Sequence, residues 1–179
     1  MADFVEFKKI TRLYEQDVCV TEKIDGTNGL VWVSEDLSVI RAGSRSRWIS
    51  TTDDNYGFAK FVDENADELK KLGHGYHYGE WWGQGIQRKY GMDCKIFSLF
   101  NVKKWNDEAL RPSCCDVVPV LYSGLLTPEV LDRFSHPLER SECALKYDVE
   151  FNKPEGVMFY FTGAGIYFKA PIKKGRKET

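Results

Sequence analysis

The chain has 179 residues, 42% hydrophobic and 29% charged, with a net charge of −2. That is long enough for one domain with a buried core, and the near-neutral balance excludes a broadly basic, histone-like binder while leaving room for a local cationic groove. Five cysteines with no C-x-x-C pair, and three histidines without ligand spacing to them, exclude a disulfide framework and a zinc site and point to a reducing, cytoplasmic setting. No apolar run reaches membrane-spanning length, and Met1-Ala2-Asp3-Phe4 lacks secretory-signal character.

In chain order, residues 4–14 mix apolar and charged side chains and predict a lead-in strand or short helix. Apolar runs over 18–24, 30–33 and 37–42, separated by turn residues, predict a meander of strands. A polar loop over 43–48 follows, carrying Arg45, Arg47 and Trp48. Phe58, Phe61, Val62, Ala66, Leu69 and Leu72 recur at helical spacing and predict an amphipathic helix that ends at Gly73, its aromatics facing the core. Strands are expected over 76–82, 95–102 and 117–122. A glycine-punctuated loop carries Arg88 and Lys89. Thr127-Pro128-Glu129 reads as a helix start, with Thr as cap and Pro in the first turn. A second short helix is expected over 137–147, then a hairpin of 157–161 with 166–170, then a basic tail over 171–179. Many strands and few helices predict an α+β class of largely antiparallel sheets in a single domain over 1–179.

The stretch with most chemical content is Thr21-Glu22-Lys23-Ile24-Asp25-Gly26-Thr27-Asn28-Gly29. A strand delivers a lysine into a Gly-containing turn, with a carboxylate two residues on. Lysine avoids such places because its ammonium seeks water; a desolvated lysine, by contrast, is a usable amine nucleophile. The plainer reading is a hairpin with an Asp-Gly turn. Four further segments set a charge at the end of, or inside, an apolar strand: Gly43-Ser44-Arg45, Tyr78-Gly79-Glu80, Glu155-Gly156-Val157 and Tyr167-Phe168-Lys169. Together with Lys23 they hold the groups a nucleotide requires, cations for phosphates and carboxylates for ribose and a hard divalent metal.

Lys23-Ile24-Asp25-Gly26, Tyr78-Gly79-Glu80, Phe97-Ser98-Leu99-Phe100-Asn101, Glu155-Gly156-Val157 and the Lys169 strand resemble, in order and spacing, motifs I, III, IIIa, IV and V of the covalent nucleotidyltransferases. The likeness is to their RNA ligase branch, which contains phage RNA ligase 2 and the RNA-editing ligases. It implies a nucleotidyltransferase adenylation domain (ATP-grasp-like, antiparallel sheets flanked by a few helices) acting as an ATP-dependent RNA ligase with Mg²⁺ or Mn²⁺. Lys23 would attack the α-phosphorus of ATP and carry AMP. Glu80 would hold the ribose, Phe100 would stack on adenine, and Arg45 would contact phosphate. Lys169 would reach the α-phosphate, Glu22 would lie at the adenine edge, and Asn28 would serve the nucleotide or the incoming nucleic-acid end. Asp25 and Glu155 would place the metal. Lys169, Arg45 and that metal would together depress the basicity of the Lys23 amine.

The partners implied are RNA ends bearing a 5′-phosphate and a 3′-hydroxyl, including those of a nicked duplex. Two positions depart from the pattern: Tyr167 stands where a first motif V lysine is usual, a charge that Lys173 or Lys174 would have to replace, and Asn101 stands where Asp is usual. No OB or other accessory domain is expected after Lys169, so a protein partner would supply one. Two alternatives stay open: a DNA ligase or GTP-dependent capping-type enzyme, and a non-catalytic nucleotide or nucleic-acid binding module.

Overall fold

The computed structural model describes residues 3–170 except Lys8 and Thr11; the tail expected over 171–179, with Lys173 and Lys174, lies outside the described residues. The class is α+β, as expected, and two sheets carry it. The first is antiparallel: β1 (Asp17–Lys23) lies between β7 (Val120–Leu125) and β8 (Gly156–Phe161), with β9 (Ile166–Lys169) on the outer side of β8. The second runs β3 (Ile40–Gly43), β2 (Thr27–Val33), β4 (Gly75–Gly83), β5 (Lys95–Leu99), β6 (Cys115–Val117), antiparallel except for the β5–β6 pair.

Side chains alternate across a strand, and that alternation fixes which face each sheet buries. On the first sheet Val18 and Val20 share a face with Phe159 and Val157, and pack on Phe134 and Leu126. Each of these burials contributes about 1.5–3 kcal/mol. Phe134 comes from α4 (Pro128–Phe134), which starts as predicted: Thr127 accepts the Val130 N–H at 3.3 Å. On the second sheet Val31 and Val33 meet Phe58 and Val62 of α1 (Phe58–Glu64) and Leu69 of α2 (Ala66–Leu69). One helix was expected over 58–72. Asn65 divides it by turning its side-chain amide back to the Phe61 carbonyl at 2.8 Å.

Other departures have local causes. The described residues of 4–14 form neither strand nor helix, and Phe4, Val5, Phe7 and Ile10 are exposed. The strand expected over 95–102 stops at Leu99 because Asn101 caps α3 (Val102–Trp105), accepting the Lys104 N–H at 3.2 Å. Asn and Asp cap equally well, so an Asp at position 101 would serve the same cap. The strand expected over 117–122 splits at Pro119, which has no N–H for a ladder, and its halves β6 and β7 join different sheets. The helix expected over 137–147 contracts to α5 (Glu142–Leu145), capped by Ser141. The closing hairpin forms as β8 and β9.

Among the described residues no helix is long and apolar enough to cross a membrane, and all five cysteines are unbridged.

Candidate active site

The hairpin reading of 21–29 does not hold. β1 pairs with β7 and β8, whereas β2 pairs with β3 and β4, so Ile24-Asp25-Gly26 is where the chain leaves one sheet for the other. Lys23 ends the first sheet and Asn28 stands near the start of the second, which brings two sheet faces to one place. Ile24, 4% exposed, anchors the passage in a core with Trp82, Tyr90 and Ile96. Gly26 has no room for a side chain: a Cβ there would stand 2.4 Å from the Trp81 carbonyl oxygen and 2.8 Å from the Trp82 Cβ.

On the first sheet, Lys23 lies opposite Gly156, so Glu155 arrives beside the lysine and the two form an ion pair. Their side chains are 23% and 27% exposed. Glu155 Oε2 is itself buried and accepts no hydrogen bond, leaving the ammonium as its counter-charge. Lys169 lies opposite Met158, which lies opposite Thr21, two residues before Lys23. Lys169 is therefore exposed on the same sheet face as Lys23, two strands across. Tyr167 is on that face too, its ring 4.4 Å from that of Tyr160.

On the second sheet, Asn28 and Glu80 are directly opposite and their side chains bond at 3.2 Å. The Gly26 N–H donates to Glu80 Oε1 at 2.9 Å, and Arg45 Nε donates to Asn28 Oδ1 at 2.8 Å. A relay thus runs from Arg45 through Asn28 to Glu80. Burial pushes the Glu80 carboxyl up to about 7; the Gly26 N–H and the charge of Lys23 act against this, and the charges of Glu155 and Asp25 reinforce it. Phe100, half-buried against the Trp82 core, follows on the next rung, its N–H donating to the Tyr78 carbonyl at 2.9 Å.

Three sequence expectations change. Glu22 does not open onto this cleft. Strand alternation turns it to the face opposite Lys23, where it is 1% exposed and accepts from Ser141 Oγ at 2.7 Å and the Cys143 N–H at 2.9 Å. Burial raises its pKa. The charge in contact with the Lys23 amine is the carboxylate of Glu155 rather than a cation, and Arg45 donates to Asn28. Asp25 is not an open carboxylate, because Arg88 Nε donates to it at 2.8 Å.

Arg88 had no assigned role in the sequence beyond a loop charge. It also donates to the Lys153 carbonyl at 3.0 Å, so it ties the Asp25 turn to the segment leading into Glu155. Tyr90 adds to this tie by accepting the Asp25 N–H at 2.8 Å. The sequence signal is only the glycine-punctuated loop that carries Arg88; in the structure Gln87, Lys89 and Tyr90 of that loop take positive φ.

Among the described residues no three His, Cys, Asp or Glu side chains are grouped to hold a metal unaided. Magnesium is ordinarily bound by one or two carboxylates plus substrate phosphates, and Glu155, whose Oε2 accepts no hydrogen bond and is paired with the Lys23 ammonium, fits that mode of binding once the amine turns to a nucleotide.

A family model described as RNA ligase matches residues 16–173. Solved structures with a similar fold include Naegleria gruberi RNA ligase with PPi, at 22% identity and a TM-score of 0.65, covering 88% of this chain and 50% of that one. A point mutant of that ligase with ATP and Mn matches at 21% identity and a TM-score of 0.64, over the same shares of the two chains. Another mutant, with AMP and Mn, matches at 20% and 0.64, again over those shares. This chain thus spans about half the length of the solved structures it matches. No curated protein sequence matches it.

Proposed function

The chain belongs to the RNA ligase family, and from that premise we propose that it is an ATP-dependent ligase that stores AMP on Lys23. The observation that carries the reading is the pairing of Lys23 with Glu155 at the end of one ladder, beside the Asn28–Glu80 rung of the other sheet. In the first step the Lys23 nitrogen gives its lone pair to the α-phosphorus of ATP. The ammonium first loses a proton to solvent; a nitrogen–phosphorus bond then forms, the bond to the bridging oxygen breaks, pyrophosphate leaves with that electron pair, and a second proton passes from the nitrogen to solvent. AMP then passes to a 5′-phosphate, and a 3′-hydroxyl displaces it to seal the strand.

Before any of this, the amine must exchange its carboxylate partner for the nucleotide. Glu155 is the residue that would hold a divalent ion; Asp25 would join it only on release from Arg88. Such an ion, when bound, offsets negative charge on the triphosphate. Glu80, fixed by Gly26 and Asn28, presents a carboxylate for ribose hydroxyls. Phe100 offers a ring face to the base, and Lys169 reaches from its strand toward the phosphates. Arg45 and Asn28 receive the incoming 5′-phosphate. Incubation with ATP and Mg²⁺ or Mn²⁺ is expected to raise the intact mass by one AMP, and Lys23→Ala to abolish the gain. A wild-type mass unchanged with either metal sinks the proposal. GTP in place of ATP, and nicks with deoxyribose ends, test the capping and DNA ligase alternatives.

A second reading is favoured by Tyr167, whose ring lies against Tyr160 on the nucleotide-facing side where a cation is usual. On that reading the chain binds a nucleotide without reacting, and ATP shifts its melting temperature with no change in mass.

A further inference from the structure

The same face of the second sheet that carries Asn28 and Glu80 continues outward as a row of aromatic rings. Two residues along each strand lie Leu30 and Tyr78, and two further lie Trp32 and Tyr76, directly opposite each other. Rungs on one face are about 7 Å apart. The Tyr76 and Tyr78 rings are 6.5 Å apart and within 13° of parallel. Trp32 is 6.5 Å from Tyr76 and 6.3 Å from Trp48, and the Arg41 guanidinium sits 4.3 Å over the Trp48 ring. Tyr76 and Tyr78 are 59% and 55% exposed.

The outward face of an antiparallel sheet ordinarily carries polar side chains. Four adjacent aromatics there form a surface that must be matched by something flat. Arg41, Arg45 and Arg47 border it along β3 and the loop that follows; Arg47 is paired with Asp53, and Glu35 and Asp36 stand in the β2–β3 turn at the far end. Flat rings flanked by guanidinium groups suit a chain of bases and phosphates. Because the bases of a duplex stack on each other, only an unpaired strand offers its base faces to protein rings.

We propose that this row is a stacking platform for unpaired RNA, which runs along β2 and β4 and brings its 5′-phosphate to Arg45 and Asn28. The choice of RNA rests on the ligase reading above; the platform itself rests on the rings. Stacking reads no base edge, so the platform accepts any sequence. It is continuous with the site, since Phe100 extends the Leu30–Tyr78 rung.

The test is binding of a short, unstructured, 5′-phosphorylated RNA to the full chain, followed by tryptophan quenching and by anisotropy. Tyr76→Ala with Tyr78→Ala is expected to weaken binding by about tenfold or more while the ATP-dependent mass gain persists. Tyr76→Phe with Tyr78→Phe is expected to bind as wild type does. Alanine variants that bind normally, a nicked duplex bound more tightly than the single strand, or self-association lost in the alanine variant would each overturn the platform. Should the alanine pair not fold, Arg41→Gln serves instead, with weaker binding and a shallower salt dependence expected; unchanged binding overturns the proposal. Tyrosine-dependent RNA binding without any mass gain would sink the ligase reading and leave the platform standing.

Discussion

Lys23 and Gly156 face each other across the β1–β8 ladder, which sets the Lys23 amine against the carboxylate of Glu155, one residue earlier. An ammonium in an ion pair has no lone pair to offer, so in the proposed reaction the pair is a latch that substrate must open. Removing the lysine leaves the buried Glu155 Oε2 without a partner, a loss of about 1–3 kcal/mol. Lys23→Ala is therefore expected to stay folded but melt below wild type, and to form no AMP adduct. Glu155→Gln should keep the fold and slow adduct formation by about 10²-fold, measured by intact mass against time. Chelation of the divalent metal should stop the mass gain in wild type.

Glu80 makes stability depend on pH. Its carboxyl is raised to about 7 in the folded chain from an ordinary 4.5, so between those values the native state holds a proton that the unfolded state has lost. Stability attributable to this group is greatest below pH 4.5, falls as pH rises toward 7, and stays at its reduced level above. Glu80→Gln does not titrate. Its stability relative to wild type should rise across that window, by about 3 kcal/mol at most. Urea midpoints at pH 5 and pH 8 check this, and an identical difference at both would refute it.

Gly26→Ala should be among the most damaging single substitutions in the site. The new methyl group meets a backbone carbonyl at 2.4 Å, and backbone cannot rotate away as a side-chain tip can. A loss of about 1–3 kcal/mol is expected, with the Gly26 N–H to Glu80 bond broken. Thermal melting and the rate of AMP adduct formation should both fall.

Arg88→Ala separates positioning from stability. The Arg88–Asp25 pair is 40% and 30% exposed, so its removal should change the unfolding midpoint little. The turn after Lys23 and the segment before Glu155 would lose their shared tie. The expected result is slower adduct formation with a wild-type melting temperature. An unaltered rate would show that Arg88 is only a surface charge.

The order of charge-bearing strand ends, the α+β class, the Thr127–Pro128 helix start and the closing hairpin were legible in the sequence, because each depends on local periodicity or on a cap within four residues. Local patterns could not say that β1 and β2 belong to different sheets, since a strand's partners are set by packing between distant segments. That division makes Asp25-Gly26 a passage between sheets rather than a hairpin turn. It is also what lets residues 23, 80 and 155 meet. Glu22 shows the same limit from the other side. One step along a strand reverses the face, so a residue adjacent to Lys23 is buried under Ser141 and Cys143. Sequence determined which side chains are present and in what order; tertiary structure decided which of them share a face, because burying each sheet's apolar side leaves only one register for the rest.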